Sequence, residues 1–269
     1  MPAVSLARLK KQIDELVREF TRPTEFLNQL RDLFELYADR IYRAGRTVPP
    51  SSLAPAYHIS PLVLRQIEIE LKPHCQQNPA ATLNLVDLLW GQSMLEFRLL
   101  ASMLLSQVPL NDPKPVIDRL YQFAKPGDGS LALKSLLGIG GREVRHKMPD
   151  GWIEMVERWA GETSEDLQAI GLIAITVTAN DEEFFNLPSI YRVFSEIFQR
   201  GSNSLQAELQ EALQALLRRA PQETAYLLRQ VLPLSISPTT HRLVRQALPR
   251  LPAEYQLSLR QALQSHKAS

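Results

Sequence analysis

Between Ser204 and Arg219 the apolar residues Leu205, Leu209, Ala212, Leu213 and Leu216 recur at helical spacing, while Gln206, Gln210, Glu211 and Gln214 fall on the other side. That is the pattern of a helix with one buried face. Leu95 to Gln107 carries a stripe of Phe97, Leu100, Ala101 and Leu104, but Leu99, Met103 and Leu105 fill much of the remainder, so this helix is expected to be covered on several sides. Leu167 to Thr178 is apolar all round and β-branched at its end, which admits a strand. No second strand-like run exists to pair with it, and a lone strand leaves its backbone groups unsatisfied, so a helix is expected.

Proline punctuates these segments. Ser60-Pro61, Asn78-Pro79, Asp112-Pro113, Leu187-Pro188, Ala220-Pro221, Ser237-Pro238 and Leu251-Pro252 each open an apolar-periodic stretch. A helix tolerates proline in its first turn, where the missing N–H is an orphan and φ is already set. Ser60, Asn78, Asp112 and Ser237 are further expected to act as N-caps. Gly45, Gly91, Gly161 and Gly201 follow periodic segments, as left-handed C-terminal caps do. The reading predicts helices at about 4–20, 24–44, 61–72, 79–90, 93–107, 113–125, 130–147 with an interruption, 151–160, 164–179, 188–200, 204–219, 221–231, 238–248 and 252–266. The expected fold class is all-α, with HEAT-like helix pairs in a curved α-solenoid occupying residues 1–269 as one domain. The starts at Pro188 and Pro221 lie 33 residues apart, within the range of such repeats.

Composition agrees with a folded chain and excludes some functions. The 269 residues are 45% apolar, enough for a sizeable core, and the 19 prolines outnumber the 11 glycines. One cysteine rules out a disulfide scaffold, and Cys75 reads as a plain thiol. No apolar run approaches the ~20 residues that span a bilayer, and Met1 to Lys11 lacks a signal core, so a cytoplasmic protein with no membrane partner is expected. His58, His74, His146, His241 and His266 show no metal-ligand spacing, and neither a metal nor another cofactor is expected.

Net charge is +1, but it is segregated: residues 151–199 carry 2 basic and 9 acidic groups, and residues 200–269 carry 9 and 4. Arg218, Arg219, Arg242 and Arg245 in the basic third, together with Arg142, Arg145 and Lys147, are the candidate contacts to duplex DNA. Arg229, Arg250 and Arg260 add to the same basic third. The stretch Asp181-Glu182-Glu183 would repel DNA and is expected to face away from it. Gly138-Ile139-Gly140-Gly141 lacks the spacing and the preceding strand of a nucleotide loop and reads as a helix break that offers, at most, amides to one phosphate. Trp90, Trp152 and Trp159 are the aromatic candidates for a cleft wall, each also readable as core.

Leu88-Leu89-Trp90, followed by Glu96-Phe97-Arg98, Ala101 and Leu104-Leu105, resembles a helix pair of the DNA alkylation repair family of HEAT-like proteins. The resemblance extends softly to Leu167-Gln168 and covers residues 60–200 in the order of helices. It implies an alkylpurine DNA glycosylase fold that cradles duplex DNA in a concave face and excises a cationic base without flipping it. The family's chemistry uses a tryptophan and an aspartate after this motif and an arginine on a later helix. The matching stretch here, Lys125 to Leu131, has no tryptophan, and Ala169 follows Leu167-Gln168 where the family has arginine. The remaining carboxylate candidates are Asp128, expected to be mobile and solvated in its Pro/Gly turn, and Glu96, which also has a structural reading. The sequence therefore leads to a binding module for DNA or for a protein, with an active glycosylase as the alternative.

Overall fold

The computed structural model describes residues 5–39 and 55–265, and it is helical throughout, with no strand among them. Their contacts fall into two compact units that divide between Glu143 and Val144. The first holds α1 (Leu6–Arg18), α2 (Pro23–Tyr37), α3 (Pro61–Gln77), α4 (Pro79–Trp90), α5 (Leu95–Ser106), α6 (Lys114–Phe123) and α7 (Ser130–Ser135), with α8 (Arg142–Lys147) straddling the division. The second holds α9 (Pro149–Gly161), α10 (Glu165–Ala179), α11 (Leu187–Arg200), α12 (Gln206–Arg219), α13 (Pro221–Val231), α14 (Pro238–Ala247) and α15 (Ala253–Ser265).

Five of the proline signals stand in the first turn of a helix, while Pro113 and Pro252 stand just before one. Ser60 and Ser237 cap as expected, their hydroxyls accepting from the amides of Leu62 and Thr240. Asp112 accepts from the Lys114 amide. Asn78 does not cap α4, because its side-chain amide donates back to the carbonyl of His74 at 3.5 Å and ends α3 instead.

Three expectations are corrected. α3 runs through Pro73 to Gln77, because Leu71 and Cys75 are both buried on one face and that burial outweighs one lost helical hydrogen bond. Among the described glycines taken as caps, only Gly201 is left-handed, at φ 43°; Gly91 is right-handed and Gly161 is still helical. α2 ends at Tyr37, and the expected continuation through 44 with Gly45, like His266, lies outside the described residues.

The break at Gly138 to Gly141 is a π-helical turn over Leu136–Gly140. A Cβ at Gly140 would meet a Leu105 methyl at 3.4 Å and the Ser102 carbonyl at 3.5 Å, ordinary contact distances, so the turn lies on α5 without requiring a glycine there. The Gly141 amide donates to the Leu136 carbonyl at 2.9 Å, so it is spent inside the turn and is not offered to a phosphate.

In both units most helices pack on the helix two places along, and some on a chain neighbour as well. α1, α3, α5 and α7 form one such row, and α9, α11, α13 and α15 another, with α10, α12 and α14 behind the latter. In the second unit the polar links between successive pairs join residues about one pair apart: Ser235 to Gln199, Ser237 to Gly201, Thr239 to Asn203 and Arg242 to Gln206 are all 36 residues apart.

Candidate functional site

The three tryptophans are core residues and not cleft walls. Trp90 stacks on Phe123 with ring centroids 5.0 Å apart and is covered by the Arg98 guanidinium. Trp152 is fully buried and donates its indole N–H to the Thr178 hydroxyl at 2.8 Å; Trp159 is buried on the same helix. Their seven-residue spacing on α9 aims both at the packed interior, a place where a large apolar ring stabilises most.

The two carboxylate candidates are likewise engaged in structure. Asp128 is not a free turn residue, because Arg98 Nη1 holds its carboxylate at 3.0 Å and its backbone carbonyl at 3.3 Å. Glu96 is buried in the first turn of α5, where its oxygens accept the backbone amides of Tyr57 at 3.0 Å and His58 at 2.7 Å. His58 has φ 54°, a left-handed conformation that a non-glycine residue adopts at a cost, and the Glu96 bond fixes it there. Both carboxylates serve the segment they tie down.

Three of the basic candidates, Arg145, Arg218 and Arg219, converge on residues 180–184, while Arg242 bonds at the other end of α12. Arg145 is 3% exposed: its Nε donates to Asp181 Oδ2 at 2.6 Å and its guanidinium lies over the Trp152 ring. The acidic stretch after α10 therefore anchors α8 to the second unit's interior through Asp181. Arg218 bonds Asn180, and Arg219 bonds the carbonyls of Glu182 and Phe184, at the C-terminal end of α12. Arg242 bonds Gln206 at the other end of that helix. Twelve helical residues separate those ends, about 18 Å at 1.5 Å per residue. Arg245 lies on α14, and Arg142 and Lys147 lie on α8.

One side-chain cluster was not expected. His146, Asp181 and Glu183 bring donor atoms within 4.8 Å of one another, a spacing a divalent ion could use. The Asp181 oxygens are already occupied, however. Oδ2 accepts from Arg145 and, at 2.8 Å, from His146 Nε2, and Oδ1 accepts the Glu183 amide at 3.1 Å. His146 Nδ1 faces Glu183 at 3.3 Å. A guanidinium sharing the same carboxylate opposes a metal there, and the cluster is an ion-pair network. Burial alone would raise the Asp181 pKa, but hydrogen bonding and charge from Arg145 and His146 prevail and hold it below the ordinary value.

An open groove lies elsewhere, in the row α11, α13 and α15. A groove of about 670 Å³ runs between them, with Tyr191, Tyr226, Leu227, Val231, Leu234 and Tyr255 as its apolar surface. Tyr191 is fixed as one wall: its hydroxyl bonds Thr224 at 2.7 Å and the Ala220 carbonyl at 3.1 Å, and burial pushes its pKa up. Gln199, Gln222 and Gln230 also face the groove. A second depression of about 550 Å³ shares Gln199 and Leu234 and continues the groove to Ile236. Tyr226 is 50% exposed, Leu234 65% and Ile236 93%, although each is apolar over most of its side chain. The Arg229 guanidinium covers one face of Tyr226. Sequence reading missed this site, because its residues come from three helices and are unremarkable within any one of them. The signal that was present is register: Tyr191 and Tyr226, like Gln199 and Leu234, stand 35 residues apart, close to the spacing of the polar links between pairs.

Comparison of the chain with protein-family models, curated proteins and solved structures finds no match. Among the described residues no helix is long and apolar enough to cross a membrane.

Proposed function

We propose that this chain is a non-catalytic binding module of HEAT-like helix pairs, and that its partner is a protein held in the groove of α11, α13 and α15. The observation that carries the reading is the uncovered apolar groove with Tyr226, Leu234 and Ile236 exposed along it. Contiguous exposed apolar surface is costly in water and marks a place that a partner covers. The packing of every second helix, with polar links repeating 36 residues apart, supports helix-pair repeats as the scaffold.

A glycosylase, as the DNA alkylation repair resemblance implies, needs a carboxylate free to stabilise a cationic sugar in a shielded cleft. Asp128 is bound to Arg98, and Glu96 to two amides, so the binding reading is preferred. Duplex DNA as the partner would need cations aligned along a phosphate track. Arg145 is buried, and Arg218, Arg219 and Arg242 are engaged at opposite ends of α12.

Titration with a mixed-sequence DNA duplex at several salt concentrations tests the choice. Expected is binding no tighter than the non-specific range of about 10⁻⁴ to 10⁻⁶ M at physiological salt, unchanged by Arg242→Ala with Arg245→Ala. Tighter binding whose salt slope falls by about 0.9 for each arginine removed would overturn the protein-binding reading in favour of DNA.

A further inference from the structure

Resting on the protein-binding reading above, we infer that the groove takes its partner as an extended peptide segment, gripped along its main chain by glutamine side chains and filled by uncharged apolar side chains at alternating positions. Glutamine side chains lie between the apolar residues of the groove. α13 presents Gln222 and Gln230 to the groove; Gln199 of α11 also lines it, but its side-chain N–H donates to the Leu234 carbonyl at 3.4 Å. An amide side chain both donates and accepts, which matches a peptide unit and matches neither a phosphate nor a lone charge.

Secondary structure of the occupant follows from those amides. A helix satisfies its own backbone and would lay an apolar face on the groove, burying the glutamine amides without partners, which is unfavourable. An extended segment arrives with unpaired N–H and C=O groups that need such partners. The spacing also fits. Gln222 and Gln230 are eight residues apart on α13, about 12 Å along the axis. Four residues of an extended chain span about 13 Å, so both amides meet peptide units on the same side of one strand. Between these two amides stand Tyr226 and Leu227, and beyond Gln230 come Val231 and Leu234, which form the apolar positions for alternate side chains.

Charge sets the composition of the segment. Arg192 is paired with Glu157; what remains along the two depressions, the acids Glu196 and Glu223 and the bases Arg200 and, over Tyr226, Arg229, balances. No sign of charge is favoured in the ligand, so uncharged apolar side chains suit it.

The test is selection of a displayed library of random 12-residue peptides on the full-length chain, followed by titration of the enriched peptides. The expected peptides carry apolar residues at every second position. Gln222→Ala with Gln230→Ala weakens their binding about tenfold or more, and N-methylation of alternate backbone amides abolishes it, while the variants keep the wild-type melting temperature. Enriched peptides with apolar residues at helical spacing, which gain helicity on binding and ignore both glutamine changes, overturn this inference but leave the groove reading intact. Enriched peptides unaffected by Tyr226→Asp and Leu234→Asp, or no enrichment over the Tyr226→Asp, Leu234→Asp chain, overturn the groove reading itself.

Discussion

Glu96 is a charged residue kept in the interior because two backbone amides need it. Its carboxylate accepts from Tyr57 and His58 at once, in the first turn of α5, where the helix dipole also favours negative charge. Glu96→Gln keeps the shape but replaces one acceptor by a donor facing an N–H. Denaturant unfolding should show a loss of about 1–3 kcal/mol, and an unchanged midpoint would show that these bonds are not formed. Asp181 is the opposite kind, a half-buried acid held by the side chains of Arg145 and His146. Because its folded pKa lies below the unfolded value of about 3.9, its contribution is complete above that pH and is lost as pH falls through the lower folded value. Asp181→Asn should therefore lower the melting temperature near neutral pH, and the difference should shrink progressively as pH falls below about 3.9; a deficit that stays constant as pH falls would show that the ion pair does not stabilise the fold. Cys75, fully buried in α3, has its thiol pushed up to about 11 by burial, in keeping with a plain structural thiol.

At the scale of elements, the close crossing of α9 and α10 depends on a missing side chain. A Cβ at Gly171 would lie 2.8 Å from the Ala160 amide nitrogen and 3.0 Å from its Cα, both backbone atoms that cannot swing aside. Gly171→Ala improves helix propensity by under about 1 kcal/mol, and the overpacking it causes costs about 1–3. The expected outcome is a lower unfolding midpoint, whereas a raised one would mean that the two helices separate freely. Helix positions were legible in the sequence because proline and periodicity are local signals, as Pro61, Pro79, Pro221 and Pro238 show. Gly171 was read only as part of an apolar run, and α3 was stopped at Pro73, since in both cases the deciding neighbour lies on another stretch of chain. The same reason hid the site. Arg98 meets Asp128 across 30 residues, Arg145 meets Asp181 across 36, and neither pairing leaves a trace in composition or spacing. Charge counting thus promoted Arg145 to a surface contact when it is buried, and the Trp152 and Trp159 stripe was open to two readings that only packing separates.

For the molecule as a whole, the proposed binding surface is an apolar groove and not the arginines that the charge distribution first suggests. The most direct measurement places a photo-crosslinking amino acid, one at a time, at Tyr226, Gln230 and Leu234 in the groove and at Arg242 and Arg245 on α14, in the full chain expressed in its native cells. The three groove positions should yield the same discrete protein adduct, the α14 positions none, and Leu234→Asp should remove the adduct formed at position 226. Adducts confined to positions 242 and 245, or adducts at 226 that persist in Leu234→Asp, would contradict the groove as the binding surface.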